Sequence, residues 1–412
     1  MANPKTAKRL PDVRSSEVAT HTAPKPGAWE RWFSSRAAVR VSRNLERNDT
    51  SRTALFDLAS NDYLGLSRHP LVQDAAATAA GIYGAGAAAS RVATGTMPVH
   101  RDLEEALCSY TDRDQALVFS SGYTANLGIL GALGGPGSLM ILDAHAHASL
   151  IDGARISGAQ VKISAHNSVP DLKRLLDENL TSDDFKPRVV VVIESIYSVL
   201  GDSAPLREFA QTCADYGAQL VIDEAHSFGA THRGSATRAA GLAKDSSVII
   251  TATLSKSLGS QGGAVLFGGA RASLLRNHLA NTARTFLFDT ALAPPAAAAA
   301  HAALDLASPE RIARLHENAR LMCAGLAEYE SLLNRIEPGA GAVQSLRMHS
   351  PEKALRVSAQ LRARGIAVAC FRPPSVPDGI SRLRMSAHAQ HSPEEVVAAM
   401  RTIAQTIVEV ES

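Results

Sequence analysis

What the chain lacks narrows the field first. Its four cysteines, Cys108, Cys213, Cys323 and Cys370, lie far apart and form no CxxC or other metal-ligand spacing. Neither a disulfide framework nor a metal site is therefore expected. They read as small buried hydrophobes of a reducing, cytoplasmic compartment. No run of about 18 apolar residues occurs, so no membrane-spanning helix is expected, and the N-terminus lacks the apolar core of a secretion signal. Charge of one sign is scarce too: 412 residues carry a formal net charge of only +2. That balance suits neither nucleic acid nor an anionic membrane as main partner. The dipeptide Gly-Lys is also missing.

The last absence decides a tempting motif. Asp223-Glu224-Ala225-His226 follows an apolar run and spells the DEAH box of an ATPase. Such an enzyme also needs GxxxxGK[ST] to cradle phosphates, and without Gly-Lys that loop cannot exist. Gly84-Ala85-Gly86-Ala87-Ala88-Ala89 nominally fits GxGxxA, but a helix-like stretch precedes it where a dinucleotide fold needs a strand.

What is present is a rhythm. Residues 1–56 contain Pro4, Pro11, Pro24 and Pro26 and hold 11 Lys/Arg by residue 52, with one candidate helix, Trp29–Arg43. From Phe56 onward, short Val- and Ile-rich runs alternate with helix-like stretches. Strands are expected at Ala116–Phe119, Leu139–Leu142, Gln160–Ile163, Val189–Glu194, Gln219–Asp223, Ser247–Thr251 and Gly263–Phe267. Seven such strands predict a doubly wound, mainly parallel sheet. After Pro294 the pattern changes to a smaller α+β unit, closed by a helix that opens on Ser392-Pro393-Glu394-Glu395, a capping box with proline at the first helical position. The expected organisation is an N-terminal segment (1–56), a large domain (57–293) and a small C-terminal domain (294–412).

Ligands of such sheets bind beyond the carboxyl ends of the strands. Asp223 ends one expected strand, and Lys256 follows the next in the turn TLSKSLG. A desolvated lysine forms imines with aldehydes, and an acid can hold a proton on a pyridine nitrogen; together they are the minimum machinery for pyridoxal phosphate (PLP). Ser120-Ser121-Gly122-Tyr123-Thr124-Ala125-Asn126 runs from a strand into a helix, a place where backbone N–H groups and the helix dipole favour a phosphate. His145 and His147 follow the strand Leu139–Leu142.

These motifs carry a resemblance. SNDYLGL, SSGYTAN, HASL, the Glu194 to Gly201-Asp202 segment, IDEAHSFG, TLSKSLGSQGG and FRPPSVPDGISRLRMSAH occur in order. Together they resemble the α-oxoamine synthases, PLP enzymes of the aspartate-aminotransferase fold (fold type I). The resemblance implies that Lys256 forms the Schiff base and serves as base, that Asp223 partners the pyridine nitrogen and that His147 stacks on the ring. It implies that His226 and Ser198 reach the ring hydroxyl, and that Glu194 is a cofactor contact near the amino-acid carboxylate. Ser121, Gly122, Tyr123 and Thr253 would hold the phosphate side, and Thr290 would complete it from the other subunit of a homodimer. Arg382 would hold the amino-acid carboxylate, with Asn61 beside it; one of Arg36, Arg40 and Arg43 would contact substrate.

Arg372–Arg384 is similar to the branch that condenses L-alanine with a pimeloyl thioester, on CoA or on an acyl carrier protein. Sister branches use glycine or serine with other acyl-CoA donors. Two departures from the family pattern stand out. Val199-Leu200 replaces an acidic stretch, and Ala87–Ala89 replaces glycine-rich sequence. If those alanines line the pocket, they would narrow it against bulkier amino acids.

Overall fold

Gln115–Asp143 shows how local sequence places the sheet. Apolar Gln115–Phe119 forms a buried strand, Gly122–Leu133 winds into a helix, and Ser138–Asp143 returns as a strand with every residue buried. A strand covered on both faces needs such continuous apolar sequence. The computed structural model describes residues 27–42, 46, 55–180, 187–373, 376 and 378–412. Residues 1–26, Arg43 and part of the expected PPSVPDG turn (374, 375 and 377) lie outside the described residues.

The chain divides into two compact units, Met1–Ser51 and Arg52–Ser412. The first is described by the helix Ala28–Ser42. Positions i, i+3 and i+4 share a helix face, so Trp29 meets Trp32 edge-on and stacks with Phe33, both at 6.0 Å between ring centroids.

The second unit begins with the short strand β1 (Phe56–Asp57). Seven strands then build the main sheet: β2 (Gln115–Phe119), β3 (Ser138–Asp143), β4 (Gln160–Ser164), β5 (Arg188–Glu194), β6 (Gln219–Asp223), β7 (Val248–Thr253) and β8 (Gly263–Phe267). Their spatial order is β2-β8-β7-β6-β5-β3-β4. All run parallel except β8, which is antiparallel to both neighbours. The carboxyl ends of β2, β3, β5, β6 and β7 therefore share one edge. The return from β7 to β8 is a short loop, and that loop carries Lys256. Gly259 allows it: its φ is +61°, and a Cβ there would sit 2.3 Å from the Ser67 nitrogen.

The remaining strands are β9 (Ile336–Glu337), β10 (Val343–Arg347), β11 (Ile366–Ala367), β12 (Ala369–Phe371) and β13 (Arg382–Ser386). Four of them form an antiparallel sheet in the order β12-β13-β10-β9, while β11 pairs with β1. The last helix, Pro393–Glu411, opens on the expected capping box: Ser392 Oγ accepts from the Glu395 N–H, and Glu395 accepts from the Ser392 N–H. Helices Pro98–Thr111, Ala272–Thr282 and Pro309–Ala327, and strand β10, are additions to the elements expected from sequence. One apolar cluster joins both sheets, running from Leu58 and Ile250 to Leu383 and Ile407. Among the described residues, no helix is long and apolar enough to cross a membrane.

Candidate active site

Five strand ends and the loops after them enclose a cleft of about 270 Å³. Its first wall is the start of the helix Gly122–Leu133. Ser121 caps that helix, accepting from the Thr124 N–H at 3.1 Å, while Thr124 Oγ1 accepts from the Ser121 N–H at 3.0 Å. A Cβ on Gly122 would press on Thr253 at 3.0 Å, and one on Gly263 would meet the Ser121 carbonyl at 2.3 Å. The absence of side chains here lets the helix start sit directly against β7 and β8. Gly122 and Tyr123 line the cleft, as do the hydroxyls of Thr253 and Ser255, which lie 2.7 Å apart. A helix start beside two hydroxyls is a site for an anion.

Asp223 stands at the end of β6. Asn126 Nδ2 donates to its Oδ2 at 2.8 Å, and the Ala225 N–H donates to its Oδ1 at 2.8 Å. Asn126 Nδ2 also donates to Ser149 Oγ, so helix and acid are tied together. Glu194 ends β5 and accepts from the His147 N–H at 2.6 Å. Burial, and then the charge of Asp223, push the Glu194 carboxyl well above the usual carboxylate range. That shift favours the protonated form of Glu194. His147 caps the helix Ala148–Ser157, its Nδ1 accepting from the Ser149 N–H at 3.2 Å. Burial lowers its pKa, which favours the neutral ring.

Lys256 is partly accessible from the cleft, but its Nζ lies deep. Burial lowers its pKa to about 8, with Asp223 opposing that shift and Arg384 adding to it. Nζ lies 2.8 Å from Nε2 of His226, and the other ring nitrogen of His226 lies 2.7 Å from the Tyr63 hydroxyl. Burial and the charge of Lys256 hold His226 well below the usual histidine range.

The structure brings Ser121, Gly122, Tyr123, His147, Glu194, Asp223, His226, Thr253 and Lys256 into one cleft lining. Ser198, Thr290 and Asn61 are not part of it. Ser198 is half-buried in the segment after β5, and Thr290 is exposed. Asn61 is linked to the site only through Tyr63 and Arg384.

Arg382 needs correction. Its guanidinium pairs with Glu337 at 2.5 Å and with Asp378 at 2.5 Å, and its side chain is 1% exposed. Two acids already satisfy its charge, which leaves it poorly placed to take a carboxylate. Arg384, one repeat further along β13, donates from Nη2 to Asn61 Oδ1 at 2.9 Å and leaves its buried Nε without a partner. Alternation puts both arginines on one face of the strand, so spacing alone could not choose between them.

Six further residues of the lining were given no role from sequence: Asn126, Ser149, Ala225, Thr251, Ala252 and Ser255. Asn126 had a usable signal, being four residues after Gly122 and so on the same helix face. Ala87, Ala88 and Ala89 do not line the cleft of their own chain. Ala88 is exposed and left-handed, with φ of 60°. His145 also lies outside the cleft; it stacks at 3.7 Å on His166, which bridges Asp143 and Asp202, each at 2.8 Å.

The aminotransferase class I and II family matches residues 53–403. The 8-amino-7-oxononanoate synthase of Mycolicibacterium gilvum is 44% identical over 397 residues, 94% of this chain and 99% of the relative. That of Mycolicibacterium vanbaalenii is 42% identical over 385 residues, 91% of this chain and 97% of the relative. Among solved structures, a serine palmitoyltransferase variant from S. paucimobilis with bound PLP and myriocin superposes with a TM-score of 0.81 at 29% identity, covering 92% of this chain and 98% of that one.

Proposed function

The chain belongs to the aminotransferase class I and II family, and on that premise we propose that it is a PLP-dependent acyltransferase joining L-alanine to a pimeloyl thioester. The products are 8-amino-7-oxononanoate, carbon dioxide and the free thiol, a step of biotin biosynthesis. One observation carries the chemistry: Lys256 and Asp223 leave neighbouring strand ends and share a cleft with the start of the helix Gly122–Leu133. The choice of alanine and pimelate rests on the likeness to relatives of that activity over nearly their whole length.

The residues present fit the cofactor. The helix start at Gly122 and Tyr123 suits a phosphate, with the Thr253 and Ser255 hydroxyls beside it. Asp223, fixed by Asn126 and Ala225, would hold the proton on the pyridine nitrogen. Lys256 would anchor the aldehyde carbon, and neutral His147 would lie against the ring. When bound, PLP supplies an electron sink for the charge left on Cα once its proton is removed.

The chain's own residues account for the rest. Burial lowers the proton affinity of Lys256, so a useful fraction is free amine near neutral pH and can take the Cα proton. Protonated Glu194 adds no second negative charge beside Asp223, leaving that acid's charge undivided. Arg384, with its buried Nε unpaired, would hold the carboxylate of alanine. Thr290, exposed in its own chain, would complete the phosphate side of a second copy's cleft in a homodimer. The donor would be pimelate on CoA or on a carrier protein. With four free cysteines, we place the protein in the cytoplasm.

The test is a panel of thiol release. Pimeloyl-CoA with L-alanine should exceed acetyl-, succinyl- and palmitoyl-CoA with glycine or serine. Faster release from one of those pairs would instead indicate a sister α-oxoamine synthase.

A further inference from the structure

Behind the cleft, side chains far apart in sequence form one hydrogen-bonded line. Lys256 Nζ is 2.8 Å from His226 Nε2, His226 Nδ1 is 2.7 Å from Tyr63 Oη, and Tyr63 Oη is 3.1 Å from Asn61 Oδ1. Arg384 closes it, donating from Nη2 to Asn61 Oδ1 at 2.9 Å and to Tyr63 Oη at 3.3 Å. Tyr63 and His226 are buried, so water does not compete for these atoms.

Donor and acceptor capacities then fix the direction of every bond. An ammonium has three donors and no lone pair, so while Lys256 is charged His226 Nε2 has to accept. The neutral imidazole must carry its proton on Nδ1 and give it to Tyr63 Oη. The tyrosine hydrogen passes to Asn61 Oδ1, which has a second lone pair for Arg384. Every hydrogen bond of the line has a donor and an acceptor in this one arrangement. Once Lys256 becomes an amine, the line can reverse: Nε2–H donates to the lysine lone pair and Tyr63 donates to Nδ1.

We propose that Tyr63 is a positioning residue: by accepting the Nδ1 proton of His226 it stabilises the tautomer that a charged Lys256 requires, and so sets how readily Lys256 gives up its proton. The charged and titratable groups facing His226 are Lys256, Arg384 and His147, with the Tyr63 hydroxyl on its Nδ1 side. They and burial disfavour a charged imidazole, which keeps the tautomer question open to Tyr63. The importance of the Lys256 proton rests on the function proposed above, but the tautomer itself needs no substrate to be measured.

The experiment is ¹⁵N NMR of the full-length, cofactor-free protein labelled at histidine, with His226 assigned by its loss in His226→Gln. At about pH 6.5 the wild type should show a protonated Nδ1 and a bare Nε2, and the tautomer should reverse as Lys256 deprotonates. In Tyr63→Phe the buried Nδ1–H loses its acceptor, which disfavours the ammonium arrangement. The reversal should then move down by about one pH unit, roughly a tenfold loss of proton affinity. An unchanged midpoint in Tyr63→Phe overturns the proposal. So does an Nε2-bound proton in the wild type at pH 6.5, a result that requires no folded variant. Because no acyl donor or amino acid is present, a failed substrate panel and a failed tautomer assignment are distinguishable.

Discussion

Glu194 and Asp223 are register partners at the carboxyl ends of β5 and β6. Glu194 is forced towards its neutral form by burial and by Asp223. Replacing Glu194 with neutral, isosteric glutamine should therefore change turnover only a few-fold, since the amide oxygen can still accept from the His147 N–H. Asp223→Asn removes the single charge and should lower kcat by about 10³-fold or more, as other losses of fixed electrostatic support do. Steady-state kinetics of the two variants side by side make the check; equal losses would refute the division of charge.

Lys256 sets the expected pH response. A base must be unprotonated to act, so kcat, which reports the substrate complex, should rise with pH, burial having lowered the Lys256 amine to about 8. Lys256→Ala should lose at least about 10³-fold and the rising limb with it. A variant that kept full turnover would remove Lys256 from the chemistry.

The two arginines of β13 should fail differently. Arg384→Gln should raise the KM for alanine about 10- to 100-fold, the cost of a charge-assisted hydrogen bond, with little change in thermal stability. Arg382→Gln takes this cation from Asp378 and leaves Glu337 with Arg347 at 3.4 Å, and should cost about 1–3 kcal/mol of stability. Kinetics and thermal melts on both would expose a reversed assignment.

Ala88 holds φ at 60°, a conformation that disfavours any side chain by about 1–2 kcal/mol. Ala88→Gly removes that strain but frees the unfolded chain, leaving a net gain of up to about 1 kcal/mol. The melting temperature should rise, with the alanine-to-serine preference unchanged because the residue does not line its own cleft. A shifted preference would mean that this loop reaches a cleft after all.

His166 links stability to pH. Asp143 and Asp202 raise its pKa from 6.5 to about 9, outweighing the burial that lowers it. A raised folded-state pKa gives stability that is complete below the unfolded value and disappears as pH climbs through the folded one. His166→Asn should therefore destabilise the protein most below about pH 6.5 and progressively less up to about pH 9. Denaturant melts across that window, showing a constant deficit, would contradict the clamp.

The sheet was legible because a strand such as Arg188–Glu194 cannot hide an unbroken run of Val and Ile anywhere but in a two-sided core. The site was legible for a related reason: polar residues directly after such runs fall on the edge where ligands bind. The reversed direction of β8 had no such signal, since parallel and antiparallel strands share the same apolar texture. Arg382 and Arg384 were indistinguishable because alternation treats them alike; only the nearby acids Glu337 and Asp378 separate them. Tyr63 was invisible as a partner of His226 because 163 residues separate them. The left-handed Ala88 ran against the rule that glycine occupies such positions.

The most direct test of the account is stoichiometric. Purified protein with PLP should be given pimeloyl-CoA and L-alanine labelled with ¹³C at the carboxyl, and three products counted. Equal amounts of free thiol, labelled carbon dioxide and 8-amino-7-oxononanoate are predicted. Thiol released without labelled carbon dioxide, or alanine converted to pyruvate with no thiol released, would contradict it.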